Sequence, residues 1–290
     1  MNRLPDWFKQ QIPSAESLDI TRKLLCVGVN TVCVEAKCPN SSICFKDYKL
    51  TFMILGSTCT RSCRFCAVSK SKDWPLQLDQ DEPERIAQSV RSLGISYAVI
   101  TSVSRDDLAD GGAGHFSRTI QAIRRQCPGV FIEVLIPDFQ GNQVSLEILA
   151  RAGADVIAHN LETVSRLYRS LRPEADYSRS LKVLSSLKQL NNAAITKSSL
   201  ILGFSETSEE LTTAMKDLRQ AGCDILTLGQ YLAPTVNHEP VKQFIRPEEF
   251  LRYQDIGYSL GFKSVLSGPL VRSSFKAEEA YRKVCDYGYV

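Results

Sequence analysis

Seven short runs rich in Val, Ile and Leu, with helical periodicity between them, constrain this chain more than any other feature. They are Phe52–Gly56, Ser96–Thr101, Val130–Ile136, Ala154–Ala158, Ser198–Leu202, Asp224–Leu228 and Lys263–Leu266. Apolar residues follow one another in these runs instead of alternating with polar ones, as in strands covered on both faces. Between them, Ile86, Val90 and Leu93 are spaced i, i+4, i+7, and Leu211, Met215 and Leu218 repeat that spacing. Leu181, Leu184, Leu187 and Leu190 keep one apolar face at i, i+3. Glu82-Pro83-Glu84 matches a helix start with proline and acid in its first turn. Strands alternating with helices require parallel βαβ crossovers, so the expectation is an α/β fold, a full or partial barrel. Chemistry in such folds sits in the loops after the strands' C-terminal ends.

Residues 1–50 lack this rhythm and read as an N-terminal extension. Residues 51–266 carry the barrel pattern, and 267–290 follow the last strand as a tail. With 43% hydrophobic and 23% charged residues, the 290-residue chain is neither disordered nor fibrous. Thirty-five basic against 32 acidic side chains leave +3, with no basic stripe to argue for nucleic acid. No apolar run approaches the roughly 20 residues that a spanning helix needs. Met1 to Gln11 has no apolar stretch of the kind a secretory signal carries. The expectation is a cytoplasmic protein with no membrane or nucleic-acid partner.

Ten cysteines are too few for a disulfide scaffold, and they are unevenly placed. Cys26, Cys33, Cys38, Cys44, Cys59, Cys63 and Cys66 fall in the first quarter, and only Cys127, Cys223 and Cys285 lie beyond it. In a reducing compartment such clustering points to metal ligands or catalytic groups. Cys59-x3-Cys63-x2-Cys66 directly follows the first strand, on a loop at the expected active face. Three thiolates hold three irons of a [4Fe–4S] cluster and leave the fourth open to a substrate. The amino and carboxylate groups of S-adenosylmethionine would suit that iron, and an electron from the cluster would cleave the sulfonium to a carbon radical. The alternative is a structural zinc site, although such sites usually pair two CxxC-type clips. Cys33-x4-Cys38-x5-Cys44 is a second triplet on a segment read as irregular. It is compatible with a second cluster, with a zinc knuckle completed from afar, or with loose thiols. Cys26 reads as a small buried apolar residue. Cys127 ends a helix, Cys223 enters a strand and Cys285 lies in the tail; all read as structural. His115, His159 and His238 are too few and too scattered for a histidine metal site.

The order of the two triplets around a strand resembles the lipoyl synthase family of the radical S-adenosylmethionine superfamily. Three further segments carry the resemblance, which runs from about residue 5 to about residue 285. Thr101-Ser102-Val-Ser-Arg105-Asp106-Asp107-Leu-Ala-Asp110-Gly111-Gly112 is similar to the family's loop after its second strand. His159-Asn160-Leu-Glu162-Thr163-Val is similar to the loop after its fourth. Gly268-Pro-Leu-Val-Arg272-Ser273-Ser274-Phe275 is similar to its Arg-Ser-Ser-aromatic signature. The resemblance implies a partial (β/α)6-type barrel. It implies that Cys59, Cys63 and Cys66 hold the cluster that binds and cleaves S-adenosylmethionine. Cys33, Cys38 and Cys44 would hold an auxiliary [4Fe–4S] cluster with Ser274 as fourth ligand and Arg272 beside it. Thr101, Ser102, Arg105, Asp106, Asp107, Asn160 and Glu162 become candidate S-adenosylmethionine contacts. The competing reading makes the loop residues among them a solvated turn, and Asn160 and Glu162 helix caps; their position after strands favours the cosubstrate contact. Gly203-Phe-Ser-Glu206 reads either as packing for adenine or, through Ser205 and Glu209, as a helix start.

The implied reaction inserts two sulfur atoms at C6 and C8 of an octanoyl group on a carrier-domain lysine, with the auxiliary cluster as sulfur donor. The implied partners are the glycine cleavage H protein or a 2-oxoacid dehydrogenase E2, an electron donor such as ferredoxin or flavodoxin, and an iron–sulfur carrier. Two departures from the family pattern stand out. Phe275 replaces the usual Tyr, and Ala67 to Pro75, including Trp74, replaces a Gly-Arg-Pro-like stretch. Two other classes fit the residues: a diverged two-cluster radical enzyme with another substrate, and a non-catalytic iron–sulfur or zinc protein.

Overall fold

The computed structural model describes residues 4–8, 15–73 and 75–286. Trp74, much of the Met1–Gln11 stretch and the last four residues of the tail lie outside them. The chain divides into two compact units, the first formed by residues 11–62 and 66–157 and the second by 1–10, 63–65 and 158–290.

In the first unit, helix α1 (Ala15–Cys26) precedes strand β1 (Asn30–Thr31), helix α2 (Val32–Glu35), helix α3 (Ser41–Cys44) and strand β2 (Thr51–Ile54). Strands β3 (Thr58–Cys59) and β4 (Ser69–Lys70) follow, then α4 (Glu82–Ser92), β5 (Tyr97–Ser102), α5 (Ala113–Gln126), β6 (Phe131–Leu135) and α6 (Gln143–Arg151). β2 pairs in parallel with β5 from Thr51↔Val99 to Ile54↔Ser102, and β5 with β6 from Tyr97↔Phe131 to Thr101↔Leu135. β1 adds an antiparallel edge on β2. Phe52, Met53 and Ile54 are buried to 1% exposure or less, which is why this strand reads as an unbroken apolar run.

Beyond β2 the chain turns sharply through Leu55 (φ 68°) and Gly56 (φ 85°). The buried Glu82 carboxylate, at the first turn of α4, fixes that turn. It accepts the Leu55 N–H at 2.7 Å, the Gly56 N–H at 3.4 Å, and lies 2.7 Å from His115 Nε2. A left-handed Leu is costly unless its surroundings hold it, and these bonds do so.

Strand β7 (Val156–Ala158) leads the chain into the second unit. There α7 (Ser165–Leu171), α8 (Tyr177–Leu190), β8 (Ile195–Leu202), α9 (Ser208–Gln220), β9 (Ile225–Gln230), α10 (Pro247–Ser259), β10 (Ser264–Gly268) and α11 (Ala277–Asp286) follow. β8, β9 and β10 are parallel, with Lys197↔Ile225 and Ser264↔Ile225 in register. One face of this sheet, through Leu200, Leu226 and Val265, packs into a core with Leu184, Met215 and Phe250. On the other, Ile225 meets Ala280 and Val284 of α11.

All seven expected strands are present, shifted by a few residues at their ends. Strand and helix alternate in an α/β fold of the partial-barrel type, and no closed ring of strands forms among the described residues. Several local expectations are corrected. Cys26 is exposed: α1 buries Ile20 and Leu24, and a residue two positions beyond Leu24 faces away from them. The segment around the second triplet is not irregular throughout, because Cys33 and Cys44 lie on α2 and α3. Helix α9 starts at Thr207, whose side chain and Glu210 form a capping box, and not through Ser205 and Glu209. Neither Asn160 nor Glu162 caps α7, whose N-cap is Val164.

Asp224, at the entry to β9, is a stability hub. It accepts from Lys188 Nζ (2.9 Å) and the Thr196 N–H (3.1 Å), and lies 3.0 Å from Lys263 Nζ. Burial alone would raise its pKa, but Lys188, the Thr196 amide and Lys263 outweigh that and hold the carboxyl below the usual range. Its contribution is therefore fully present above the unfolded carboxylate pKa of about 3.9 and is lost as pH falls through the lower folded value. Asp224→Ala should cost about 3 kcal/mol at neutral pH, because two ammonium groups lose their partner. Urea melts should show that difference narrowing at about pH 3.

Candidate active site

Cys59 sits in the loop after β2, paired through Ser69–Lys70 in its own two-residue ladder. Its Sγ accepts two backbone N–H groups, from Arg61 and from Ser104, each at 3.4 Å. Amide donors to a thiolate sulfur are a recurrent tuning element of iron–sulfur sites.

The Cys59 loop is bound to the loops after β5 and β6. Thr60 N and Oγ1 both donate to the Ser104 carbonyl at 3.0 Å, and Thr60 Oγ1 accepts the Asp106 N–H at 3.0 Å. Arg61, 4% exposed, spans the rest. Its guanidinium meets both oxygens of Asp106, at 2.6 and 2.8 Å, and Asp138 Oδ1 at 2.6 Å. Burial works against the charge on Arg61, and the two carboxylates more than offset it, so its pKa lies above its ordinary value. Arg105 and Asp107 form a second buried pair at 2.7 and 2.8 Å. The same guanidinium donates to the carbonyls of Leu55 and Leu76. Asp107 is held below its usual pKa, first by Arg105.

Thus Arg105, Asp106 and Asp107 are brought to the cysteine loop, with these side-chain groups engaged in holding it. Thr101 Oγ1 donates to the Leu135 carbonyl. Ser102, at the end of β5, differs: its Oγ is buried with no hydrogen-bond partner. A buried hydroxyl without a partner at the mouth of a strand fits a polar ligand.

The second triplet lies in the same unit. Cys38 N–H donates to the Cys33 carbonyl at 2.9 Å, and Lys49 N–H to the Cys44 carbonyl at 2.9 Å. The Cys33 thiol is pushed up to about 12 by burial, then by the nearby Cys38 and Cys44. Cys44 is pushed up to about 11 by burial and by Cys38. The three sulfurs therefore share one electrostatic neighbourhood, and none is in a disulfide. Among the described residues no three Cys, His, Asp or Glu side chains converge on a single metal-ion position. A four-iron cube offers each thiolate its own iron and does not require that convergence.

In the second unit, residues 159–162 run beside β8. The His159, Glu162 and Ile201 amides exchange bonds with the carbonyls of Lys197, Ser199 and Glu162 at 2.8–3.0 Å. Glu162 adopts φ 70°. Burial raises its pKa, while Arg172 and Asn160 pull the other way. Asn160 Nδ2 donates to Glu162 Oε1 at 3.0 Å. Thr163 Oγ1, just before the N-cap of α7, is buried without a partner, a second orphaned hydroxyl. Arg172 supports this loop by donating to the carbonyls of Asn160 and Leu161, each at 3.2 Å.

The tail crosses the end of β9. Pro269 carbonyl accepts the Gln230 N–H at 3.3 Å, and Arg272 Nη1 donates to the Val271 carbonyl at 2.7 Å. Gly229 is required by this crossing, since a Cβ there would lie 2.0 Å from the Val271 oxygen. Ser273 and Ser274 then occupy a turn closed by Phe275 N–H to the Arg272 carbonyl at 2.9 Å. Ser273 Oγ donates to Asn160 Oδ1 at 2.9 Å. Cys63 to Phe65 also group with this unit. Arg64 N–H donates to the Leu171 carbonyl, and Phe65 packs against Phe204, which lies 4.3 Å from Tyr231 by ring centroids.

Arg61, Asp138, Phe65 and Arg172 were not singled out from the sequence, and Ser273 was quoted only as part of a signature. Position held a signal for two of them: Arg61 lies inside the cysteine motif and Asp138 just beyond a strand end.

Residues 53–218 match the Radical SAM superfamily model, more than half of the chain. The chain is therefore a radical S-adenosylmethionine enzyme, a class whose chemistry rests on a [4Fe–4S] cluster and that cosubstrate. It is 50% identical to the lipoyl synthase of Caldanaerobacter subterraneus subsp. tengcongensis, over 95% of this chain and 96% of that one. It is 48% identical to the lipoyl synthase of Thermus thermophilus, over 96% and 86%. The chain belongs to the lipoyl synthase family, the radical sulfurtransferases of lipoate biosynthesis. Methylornithine synthase shares the fold at TM-score 0.55 and 14% identity, covering 74% of this chain and 70% of that one. Streptococcus suis SuiB bound to S-adenosylmethionine shares it at 0.58 and 12%, covering 78% and 53%. No helix of the described residues is long and apolar enough to cross a membrane.

Two outcomes follow from this geometry. Arg61→Ala leaves two buried carboxylates without a cation and should destabilise the fold by about 3–5 kcal/mol in guanidinium melts. Arg61→Lys, a point charge in place of a fork, should recover only part of that. Gly229→Ala should displace residues 268–275, read as faster proteolytic cleavage there than in the parent protein.

Proposed function

We propose that this chain inserts two sulfur atoms, at C6 and C8, into an octanoyl group carried on a lysine of a lipoyl carrier domain. The observation that carries this reading is the second triplet: three cysteines outside any disulfide, on and between α2 and α3, separate in sequence from the first. A radical enzyme that only abstracts hydrogen needs one triplet. A second, consumable cluster gives the sulfur a source.

Cys59, Cys63 and Cys66 hold the cluster that binds S-adenosylmethionine, and Cys33, Cys38 and Cys44 with Ser274 hold the auxiliary one. When bound, these groups supply a carbon-centred radical oxidant and sulfide. The protein's part is binding and positioning. The N–H groups of Arg61 and Ser104 stabilise negative charge on Cys59 Sγ. Ser102 offers a buried, orphaned hydroxyl, and Asn160 and Glu162, bonded to each other, are candidate contacts for the cosubstrate. Arg105, Asp106 and Asp107 serve it by holding the loop. Arg272 sets the turn that presents Ser274. Ser274 supplies an oxygen, a harder and weaker partner for iron than a thiolate, as suits a cluster that must be dismantled.

Three sections follow from this reading: an extension (1–50) carrying auxiliary ligands, a catalytic barrel (51–266) and a tail (267–290). The protein works in the cytoplasm with octanoylated H protein or E2 domains, an electron donor of the ferredoxin or flavodoxin type, and an iron–sulfur carrier.

The test is anaerobic reconstitution followed by incubation with S-adenosylmethionine, a reductant and an octanoyl-lysine peptide. Reconstitution should give about eight irons per chain, two clusters of four, and Cys33→Ala/Cys38→Ala/Cys44→Ala about four. Mass spectrometry should show a peptide carrying two added sulfurs, absent with Cys38→Ala or Ser274→Ala. Formation of 5′-deoxyadenosine with an unchanged peptide would mean a different substrate. Neither product from a doubly loaded protein would overturn the radical reading for this chain.

A further inference from the structure

We propose that Ser273 is a positioning residue that couples the C-terminal turn to S-adenosylmethionine binding through Asn160 and Glu162. The two serines of the signature then have separate tasks. Ser274 faces iron, and Ser273 reports whether the cosubstrate loop is in place.

A continuous hydrogen-bonded chain supports this. Ser273 Oγ donates to Asn160 Oδ1 at 2.9 Å, so the Asn160 amide is oriented with its nitrogen toward Glu162. That nitrogen donates to Glu162 Oε1 at 3.0 Å. A hydroxyl that donates to the amide oxygen fixes which way the amide faces, since oxygen and nitrogen play opposite roles. Both ends of the chain are held firmly. Arg172 grips the Asn160 and Leu161 carbonyls, and Glu162 is bonded to β8 in a left-handed conformation that tolerates little drift. On the other side, the close crossing at Gly229 leaves the turn no room to slide along β9. Between these two supports, the Ser273–Asn160 bond is a direct side-chain link from the turn to the 159–162 loop.

The coupling is reciprocal by linkage. A ligand that orders Asn160 and Glu162 also orders the Ser273–Ser274 turn, and a turn that is ordered binds that ligand more tightly. The turn that would offer Ser274 to the auxiliary cluster is thereby held more firmly when the cosubstrate is bound.

This inference rests on the reading of Asn160 and Glu162 as cosubstrate contacts, and the test separates the two. S-adenosylmethionine affinity is measured by calorimetry on the reconstituted protein and on Ser273→Ala, Ser273→Thr and Asn160→Ala. Hydrogen exchange of residues 268–275 is followed with and without the cosubstrate. Ser273→Ala should weaken binding about three- to tenfold, the usual effect of one lost hydrogen bond, with iron content unchanged. Ser273→Thr keeps the hydroxyl and should restore most of the affinity. In the parent protein the cosubstrate should slow exchange across 268–275, and in Ser273→Ala it should not.

Unchanged affinity in Asn160→Ala would overturn both this proposal and the reading beneath it. Weakened binding in Asn160→Ala, with Ser273→Ala equal to the parent, would overturn the coupling alone. Loss of iron in Ser273→Ala would make Ser273 a ligand and overturn its positioning role. If Ser273→Ala does not fold, the exchange measurement on the parent decides: no slowing of 268–275 on binding rejects the coupling.

Discussion

One guanidinium, that of Arg61, organises the catalytic end of the first unit. It lies inside the cysteine motif and binds carboxylates from two other loops, Asp106 after β5 and Asp138 after β6. Parallel strands of an α/β sheet deliver their C-terminal loops to one edge but do not fix those loops to each other. A buried cation shared between two carboxylates does, because each partner would be left charged and desolvated if the others moved. Cys59 is thereby held where two backbone amides point at its sulfur. The carboxylates outnumber the cation, leaving a net negative charge beside the site. The Glu82 contact with the Leu55–Gly56 turn performs the same service one step earlier, where the chain leaves β2.

The second unit is organised by division of labour along its strands. Asp224 and its lysines sit at the N-terminal ends of β8 and β9, and Asn160, Glu162 and the tail are reached from the other direction. The Asp224 cluster holds the start of β8 at Thr196, and the 159–162 segment is bonded further along the same strand, at Lys197, Ser199 and Ile201. Thr163 Oγ1, beyond the 159–162 segment, is buried without a hydrogen-bond partner.

Much of this was legible in the sequence. Continuous apolar runs gave all seven strands, because strands buried on both faces have no alternation to obscure. The two triplets stood out because cysteine is rare and its spacing is informative. The pairing of Arg61 with Asp106 and Asp138 was not legible: ion pairs 45 and 77 residues apart leave no local pattern. Neither was the role of Arg105 and Asp107. Charged residues after a strand look alike in sequence whether they face a ligand or each other, and the choice depends on the carbonyls of Leu55 and Leu76. Cys26 was misread because composition, and not helical phase, guided it. The helix-start reading at Ser205 failed for a similar reason, since Thr207 with Glu210 satisfies two backbone donors where a lone serine satisfies one.

The bond from Ser273 to Asn160 spans 113 residues of sequence. A ribosome adds roughly 5–20 residues per second, so Asn160 is made roughly 6–23 s before its partner. Every cysteine of both triplets has left the tunnel by then. The nascent protein therefore passes through a stage in which both cysteine triplets and Asn160 are present while the Ser273–Ser274 turn does not exist. Metal captured at that stage would meet the cysteines before the tail that crosses β9 has been made.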